Sequence, residues 1–451
     1  MSKPNILLLV IDSFRADKFF GEKKTSVTPT LDRLTNMGLY FSQAVSSAPS
    51  SLPAISSVLT GLYPFSSLSL QNKVYNLKDQ IPTIGQKLYT EGYTNYATIP
   101  KILTLMNLDN TFKNNIEFYA DNLTLYDGVG ERILERFDEI NSEQPWFYYV
   151  HLNDIHGQAI FHNDIIPEGF DDKRNGNNQY ERMVSLMDKW LEMIFKKVNL
   201  DNTLVIITAD HSSDVGIFDE ELEKLYQKTR ESRIVKKSNM IKLGQKIFSK
   251  TPDTFKPLRA KLSEKYREKR DLIIEKRGDP MLKEIENAEE NGYRKRVMRN
   301  IVRGTAQVYD DRFRIPLLFC GYGIKENKII TQQVRSIDIY PTIFDVLGLK
   351  INDRIDGSSL LPLAKGMSVK ENPAILESRI NVEEGVTSNT IGIRTSKYKY
   401  FRNIDDHEKD VTLFDLENDP LEEENIQQLE KEIILEMENI LKYNLSINQN
   451  S

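Results

Sequence analysis

An α/β fold built on a large, mostly parallel central sheet follows from three observations on this 451-residue chain. Uninterrupted apolar runs occur at 6–11, 146–152 and 203–209. Each of these runs ends in polar residues: Asp12, then His151 to His156, then Asp210-His211. Segments with helical patterning lie between them. A strand buried on both faces reads as such a run, and strands alternating with helices form parallel sheets. Open α/β sheets gather their functional groups at the carboxyl ends of the strands, where these polar residues fall.

Along the chain, 5–11 is the first buried strand, and Thr28-Pro29-Thr30-Leu31 opens a short helix. Gly38 reverses the chain into a strand at 39–41. The Ser-rich stretch 46–51 then feeds a helix in which Pro53 suits the first position and Gly61 the position just past the end. Ser51 thereby faces the positive end of a helix dipole, where an anion binds and an alkoxide forms most readily. Helices are expected at 81–91, at 122–141 with Asn122 as its cap, and at 180–198, with a strand at 94–99. Segment 219–303 is rich in Lys, Arg and Glu and reads as a helical insertion, with helices at 220–233, 256–276 and 283–299. The sheet resumes at 314–321, and 337–348 reads as a helix stopped by Gly348. Short alternating strands at 391–394 and 398–401 predict a small antiparallel sheet. A helix from 425 to about Tyr443 and a disordered polar tail complete the chain. The expected division is a catalytic domain over 1–385, carrying the insertion, and a C-terminal subdomain over 386–451.

Composition is that of a globular protein, 39% hydrophobic and 28% charged, and the net charge of -6 gives no reason to expect nucleic acid or a membrane surface as partner. Cys320 is the only cysteine, so no intrachain disulfide forms. The apolar run near the start lacks a basic flank and a cleavage site and is too short to span a bilayer. The expected location is therefore the cytoplasm.

Transfer of a phosphoryl or sulfuryl group needs an oxygen nucleophile, a cation to lower its pKa, and a proton donor for the leaving oxygen. Ser51 is the candidate nucleophile. Asp12, Asp210 and His211, with Ser51, are candidate ligands of one divalent ion. His156 is the candidate proton donor.

These residues carry a resemblance. The strand ending in Asp12, the segment Ser51-Leu52-Pro53-Ala54-Ile55 with Leu59-Thr60-Gly61-Leu62-Tyr63-Pro64, the segment Asp154-Ile155-His156-Gly157, and Thr208-Ala209-Asp210-His211 resemble, in order, the motifs of the sulfatases and sulfatase-like phosphoesterases of the alkaline phosphatase superfamily. Arg314-Ile315-Pro316, Asp338-Ile339-Tyr340-Pro341-Thr342 and Leu413-Phe414-Asp415-Leu416 fit as well. The resemblance implies an alkaline phosphatase-like fold, one divalent metal ion (calcium in the family, manganese or zinc as alternatives), and a small-molecule or glycan ester of sulfate or phosphate as substrate. It also implies substrate contacts, for which His151, Arg303 and Lys101 are the candidates. Two positions depart from the family. Ile55 stands at the signature's arginine, and Ser13 at the second acidic metal ligand. With Ser51 at the nucleophile position, an unmodified alkoxide is the simpler expectation than formylglycine. Phosphodiester hydrolysis, phosphoglycerol or phosphoethanolamine transfer, and anion binding without turnover are the alternatives.

Overall fold

The computed structural model describes residues 3–71, 74–106, 108–112, 115–140, 144–157, 160, 171–233, 276–288, 290–303, 308–324, 327–378 and 389–449. The chain divides into two compact units, Met1–Ile217 with Ala306–Ser451, and Phe218–Thr305.

The first unit is built on an eight-stranded sheet. Its strands are β1 (Asn5–Ile11), β2 (Leu39–Phe41), β3 (Thr94–Pro100), β4 (Ile116–Tyr119), β5 (Trp146–Leu152), β6 (Thr203–Thr208), β7 (Leu317–Gly321) and β8 (Lys328–Ile330). The spatial order is β8-β2-β7-β6-β1-β5-β3-β4. Only β7 runs against its neighbours, β6 and β2; the other pairings are parallel. The expected mostly parallel sheet is thus present. β1 lies between β5 and β6 and is buried throughout after Asn5, which is why its sequence is apolar without alternation. In register, Val10 pairs with His151 on one side and Thr208 on the other. The carboxyl ends of three adjacent strands therefore coincide, and they carry Asp12, His151 and Asp210.

Helix Ser51–Thr60 is buried along its whole length and starts two residues earlier than its proline suggests. Pro53 occupies its third position, where a missing N–H still costs no intrahelical bond. Gly61 ends it in the left-handed region, φ 68°, as its sequence position predicts. The helix expected over 122–141 is shorter. A turn Leu125–Asp127, capped reciprocally by Thr124 and Asp127, precedes helix Val129–Glu139, and Gly128 at φ 92° separates the two.

A four-stranded antiparallel sheet, β9 (Ala374–Ser378), β10 (Thr390–Arg394), β11 (Tyr398–Asn403) and β12 (Thr412–Asp415), lies toward the C-terminus. Helix Lys431–Gln449 packs Met437 and Leu441 against Ile391, Ile393, Tyr400 and Leu413. This helix begins later than expected because the Asn425 side chain accepts from the Leu413 and Gln427 amides, holding its own segment as a loop. It also runs through much of the stretch read as a tail.

Behind this sheet sits a buried ion cluster. Lys399 Nζ lies 2.6 Å from Asp310 Oδ1 and 2.7 Å from Glu422 Oε1, and Arg394 forks onto both oxygens of Asp310. Asp310 begins the short segment that continues through Asp311 and Arg312 toward the strand ends described below.

The second unit contains helices Glu220–Arg233 and Gly292–Arg303, with helical residues at 276–287. Leu222, Ile285, Val297, Ile301 and Val302 are buried. Arg294 binds Asp219, Glu221 and Glu290, so charges that look available in the sequence are paired within the unit. The expected helix 256–276 falls, apart from its last residue, outside the described residues.

Two predictions concern stability. Lys399→Met removes the buried ammonium that Asp310 and Glu422 share and should cost about 3–5 kcal/mol. It should appear as a lower urea midpoint at unchanged m-value. The second concerns Asp154, just past β5. Burial pushes its carboxyl up to about 7, against hydrogen bonds from the Leu125 amide and from its own. The folded state then holds a proton that the unfolded state releases near pH 4. Stability from this group is complete at low pH and is lost as pH rises through about 7. Asp154→Asn should remove that slope. Unfolding curves should shift in the variant's favour, relative to wild type, by up to about 4 kcal/mol between about pH 4 and pH 8.

Candidate active site

Three neighbouring strand ends and one helix start converge on a single buried pocket. Asp12 follows β1, and its backbone N–H continues the ladder to the Leu152 carbonyl at 2.8 Å. Ser13 adopts a left-handed backbone, φ 65°, unusual for a residue with a Cβ. The turn has two local consequences. The Ser13 hydroxyl donates to Asp12 Oδ1 at 2.7 Å, and the Ser13 amide donates to Asp210 Oδ1 at 3.2 Å. The Tyr180 hydroxyl secures the turn from behind, donating to the Ser13 carbonyl and accepting from the Arg15 amide. Asp210 Oδ1 also accepts from the His211 amide at 2.7 Å. Each carboxylate is therefore tied to the scaffold through one oxygen.

The remaining oxygens face one another across a small gap. Ser51, the first residue of its helix, places its hydroxyl 3.2 Å from Asp12 Oδ2 and 3.5 Å from His211 Nε2. His211 Nε2 lies 3.8 Å from Asp12 Oδ1 and 3.7 Å from Asp210 Oδ2, and its Nδ1 is 2.9 Å from the Ser212 carbonyl. His151 Nε2 lies 3.7 Å from Asp12 Oδ2 and 4.0 Å from Asp210 Oδ2, while its Nδ1 meets the Tyr149 hydroxyl at 2.8 Å. Asp210 Oδ2 and His151 Nε2 are fully buried, and neither has a hydrogen-bond partner. Buried polar atoms are rarely left so, and a carboxylate oxygen beside an imidazole nitrogen in one gap fits a cation. Asp12, His151 and Asp210 each offer an atom within 4.8 Å of the others.

The electrostatics agree. Burial opposes ionisation of Asp12, but the imidazoles of His156, His211 and His151 outweigh it and hold the carboxyl well below the usual range. Burial likewise opposes charge on His211, yet Asp210 and Asp12 raise its pKa. Burial, reinforced by Asp210 and Asp12, keeps the Tyr149 phenol protonated.

Of the residues named from sequence, Asp12, Ser51, Asp210, His211 and His151 come together. His156 is partly buried in the turn after β5, its amide donating to the Asn153 carbonyl, and its charge is felt at Asp12. Lys101 is exposed at the carboxyl end of β3, two strands from β1. Arg303 ends a helix of the second unit. Three contributors escaped sequence reasoning. Tyr149 holds His151, and the two-residue alternation of a strand points to it. Ser13 bridges the two carboxylates, which nothing local announces. Arg312 pairs with Asp214 at 3.3 Å, its carbonyl accepts from the Ser212 amide, and its charge is felt at His211. Ile55, one turn into the Ser51 helix, is completely buried, so no cation occupies that place.

Comparison with known proteins follows the same lines. A curated relative, arylsulfatase K of Canis lupus familiaris, is 36% identical over 126 residues, covering 26% of this chain and 23% of that protein. The aligned stretch thus spans about a quarter of that relative's length. Among solved structures, a 2-O GAG sulfatase superposes with a TM-score of 0.65 at 17% identity, covering 99% of this chain and 93% of the other. A protein solved in complex with its substrate D-glucosamine-2-N,6-O-disulfate superposes at 0.65 and 14% identity, covering 100% and 99%. These two establish the shared fold. A C-terminal model, N-sulphoglucosamine sulphohydrolase, C-terminal, matches 305–449. The sequence model of the sulfatases matches residues 4–349, most of the chain, and the chain belongs to the sulfatase family.

Proposed function

We propose that this protein hydrolyses sulfate esters with the unmodified hydroxyl of Ser51 as nucleophile and a divalent ion at the Asp12–Asp210 cluster. The observation that carries the reading is the placement of the Ser51 hydroxyl at a helix start, 3.2 Å from Asp12 and 3.5 Å from His211. A bound dication would supply positive charge that lowers the pKa of the hydroxyl and attracts the ester oxygens. Asp12 accepts the hydroxyl's hydrogen bond and orients its lone pairs outward. The free amides of the helix's first turn lie where negative charge builds up on the sulfuryl oxygens. Ser51 Oγ bonds to sulfur as its proton passes to Asp12 Oδ2, the bond from sulfur to the leaving oxygen breaks with a proton donated by His156, and water then cleaves the Ser51–sulfur bond, releasing sulfate and restoring the hydroxyl. Arg312, near His211, adds positive potential for an anionic substrate.

The fully buried Ile55 supports an unmodified serine, since the family's formylglycine site relies on an arginine there. The same feature favours a second reading, phosphoester cleavage by that serine. The relatives' named activities on aryl and sugar sulfates make 4-nitrophenyl sulfate and a sulfated glucosamine the first substrates to try.

Two outcomes are expected. The mass of the peptide containing Ser51 should equal that of plain serine; a species lighter by two hydrogens would reveal the aldehyde and refute this proposal. Ser51→Ala should lower kcat on 4-nitrophenyl sulfate at least about a thousandfold, and turnover surviving that change would remove Ser51 from the mechanism. A higher kcat/KM on phosphate mono- or diesters would favour the second reading. Separately, Asp210→Asn should release most of the bound metal, measured by elemental analysis, because it removes one of two anionic ligands.

A further inference from the structure

We infer that the outward face of helix Lys431–Gln449 is a self-complementary surface on which a second copy of this chain docks about a two-fold axis. The inference is independent of the chemistry proposed above.

The inward face of this helix is occupied. Met437 and Leu441 pack against the antiparallel sheet, and Glu438 is held there by the Arg402 fork and the Tyr400 hydroxyl. The outward face carries Leu435 and Tyr443, which are 63% and 67% exposed. With Leu429, 75% exposed just before the helix, they are the most exposed large apolar side chains among the described residues. Apolar area concentrated on one element marks an interaction surface, where a lone exposed leucine does not.

Helical spacing orders that face. Leu435, Asn439 and Tyr443 stand four residues apart and form one ridge, and all three are exposed. Glu436 lies on one flank of the ridge and Lys442 on the other, each about 60° around the helix from Asn439. Both are exposed as well. The commonest packing of two helices sets such ridges side by side at a crossing of about 50°. When a two-fold axis runs along the ridge, Leu435 and Tyr443 each meet their own counterparts. The same axis exchanges the two flanks, so Glu436 stands opposite Lys442 of the second copy, and Lys442 opposite its Glu436. Flanks of one sign would repel their own copy; flanks of opposite sign pair twice.

Both charges are available for this pairing. Glu436 has no ion-pair partner among the described residues. Lys442 Nζ lies 3.3 Å from Glu438 Oε1, but Arg402 already forks onto that carboxylate, so Lys442 is surplus to its neutralisation. The contact is one helix face per copy, short of the roughly 1,200 Å² of a stable interface, and the association is accordingly weak, with a Kd of roughly 1–100 µM.

The test is sedimentation velocity of the full chain in low salt, from about 1 to about 200 µM, a range that brackets this Kd. The weight-average mass should rise from one chain toward two. Glu436→Lys and Lys442→Glu each set like charges opposite one another and should weaken the dimer at least about tenfold, and the two together should restore it to within about threefold of wild type. Leu435→Ser with Tyr443→Ser should leave only monomer. Circular dichroism checks that each variant is folded. If Lys442→Glu, which also faces Glu438, does not fold, Glu436→Lys and the apolar double variant decide. A chain that stays monomeric throughout, a dimer indifferent to Glu436→Lys, or a charge exchange that fails to restore association would each overturn the inference.

Discussion

Two carboxylates, Asp12 and Asp210, stand buried together at the ends of adjacent parallel strands, and that juxtaposition is what the surroundings must accommodate. Like charges so close together, removed from water, are tolerated only with compensation. The compensation visible in the chain's own atoms comes in two kinds. Backbone and hydroxyl donors hold one oxygen of each acid, and imidazoles face the other. The left-handed turn at Ser13 costs about 1–2 kcal/mol for a residue with a Cβ. It is placed where a single residue reaches both acids at once.

The scaffold makes this arrangement stiff. Parallel pairing aligns Val10 with His151 and Thr208, so the three strand ends cannot shift independently. The segment after Asp310 reinforces them from the far side. Asp311 binds Arg15, Arg312 binds Asp214, and the Arg312 and Phe313 carbonyls accept from the Ser212 and Ser46 amides. Ser46 in turn donates to the Asp210 carbonyl at 2.6 Å. Asp310 itself is anchored by Lys399 and Arg394 from the C-terminal sheet. A continuous series of short polar contacts thus joins that sheet to the loop carrying Asp210 and to the entry of the Ser51 helix.

What the sequence disclosed, and what it hid, divides along physical lines. The apolar runs ending in Asp12 and in Asp210 were legible because burial on both faces leaves a strand no choice of composition. Gly61 was legible as a helix stop because its φ favours glycine. The start of the Ser51 helix was not, since proline is tolerated at any position of a first turn. His151 read ambiguously: a buried histidine on a strand satisfies itself as often as it serves a site. Only the register across to Asp12, and the unpartnered Nε2, separate the two. Ser13 was visible as the loss of an acid but not as a bridge, because its role depends on one backbone dihedral. Arg312 was invisible, since its neighbours come from distant parts of the chain.

The family departures at positions 13 and 55 have a common electrostatic sense. Had position 13 kept its acid, three carboxylates would crowd the pocket, and one dication would leave it net negative. A sulfate ester, itself an anion, is repelled by such a pocket unless a further cation draws it in, and an arginine at position 55 is a cation in that neighbourhood. With Ser13 at that position, the two carboxylates of Asp12 and Asp210 would be matched in charge by the single dication of the proposed reading. Ile55 then adds packing rather than charge, and it is completely buried. On the proposed reading, the loss of the acid lowers the need for the arginine, so the two departures offset each other in charge.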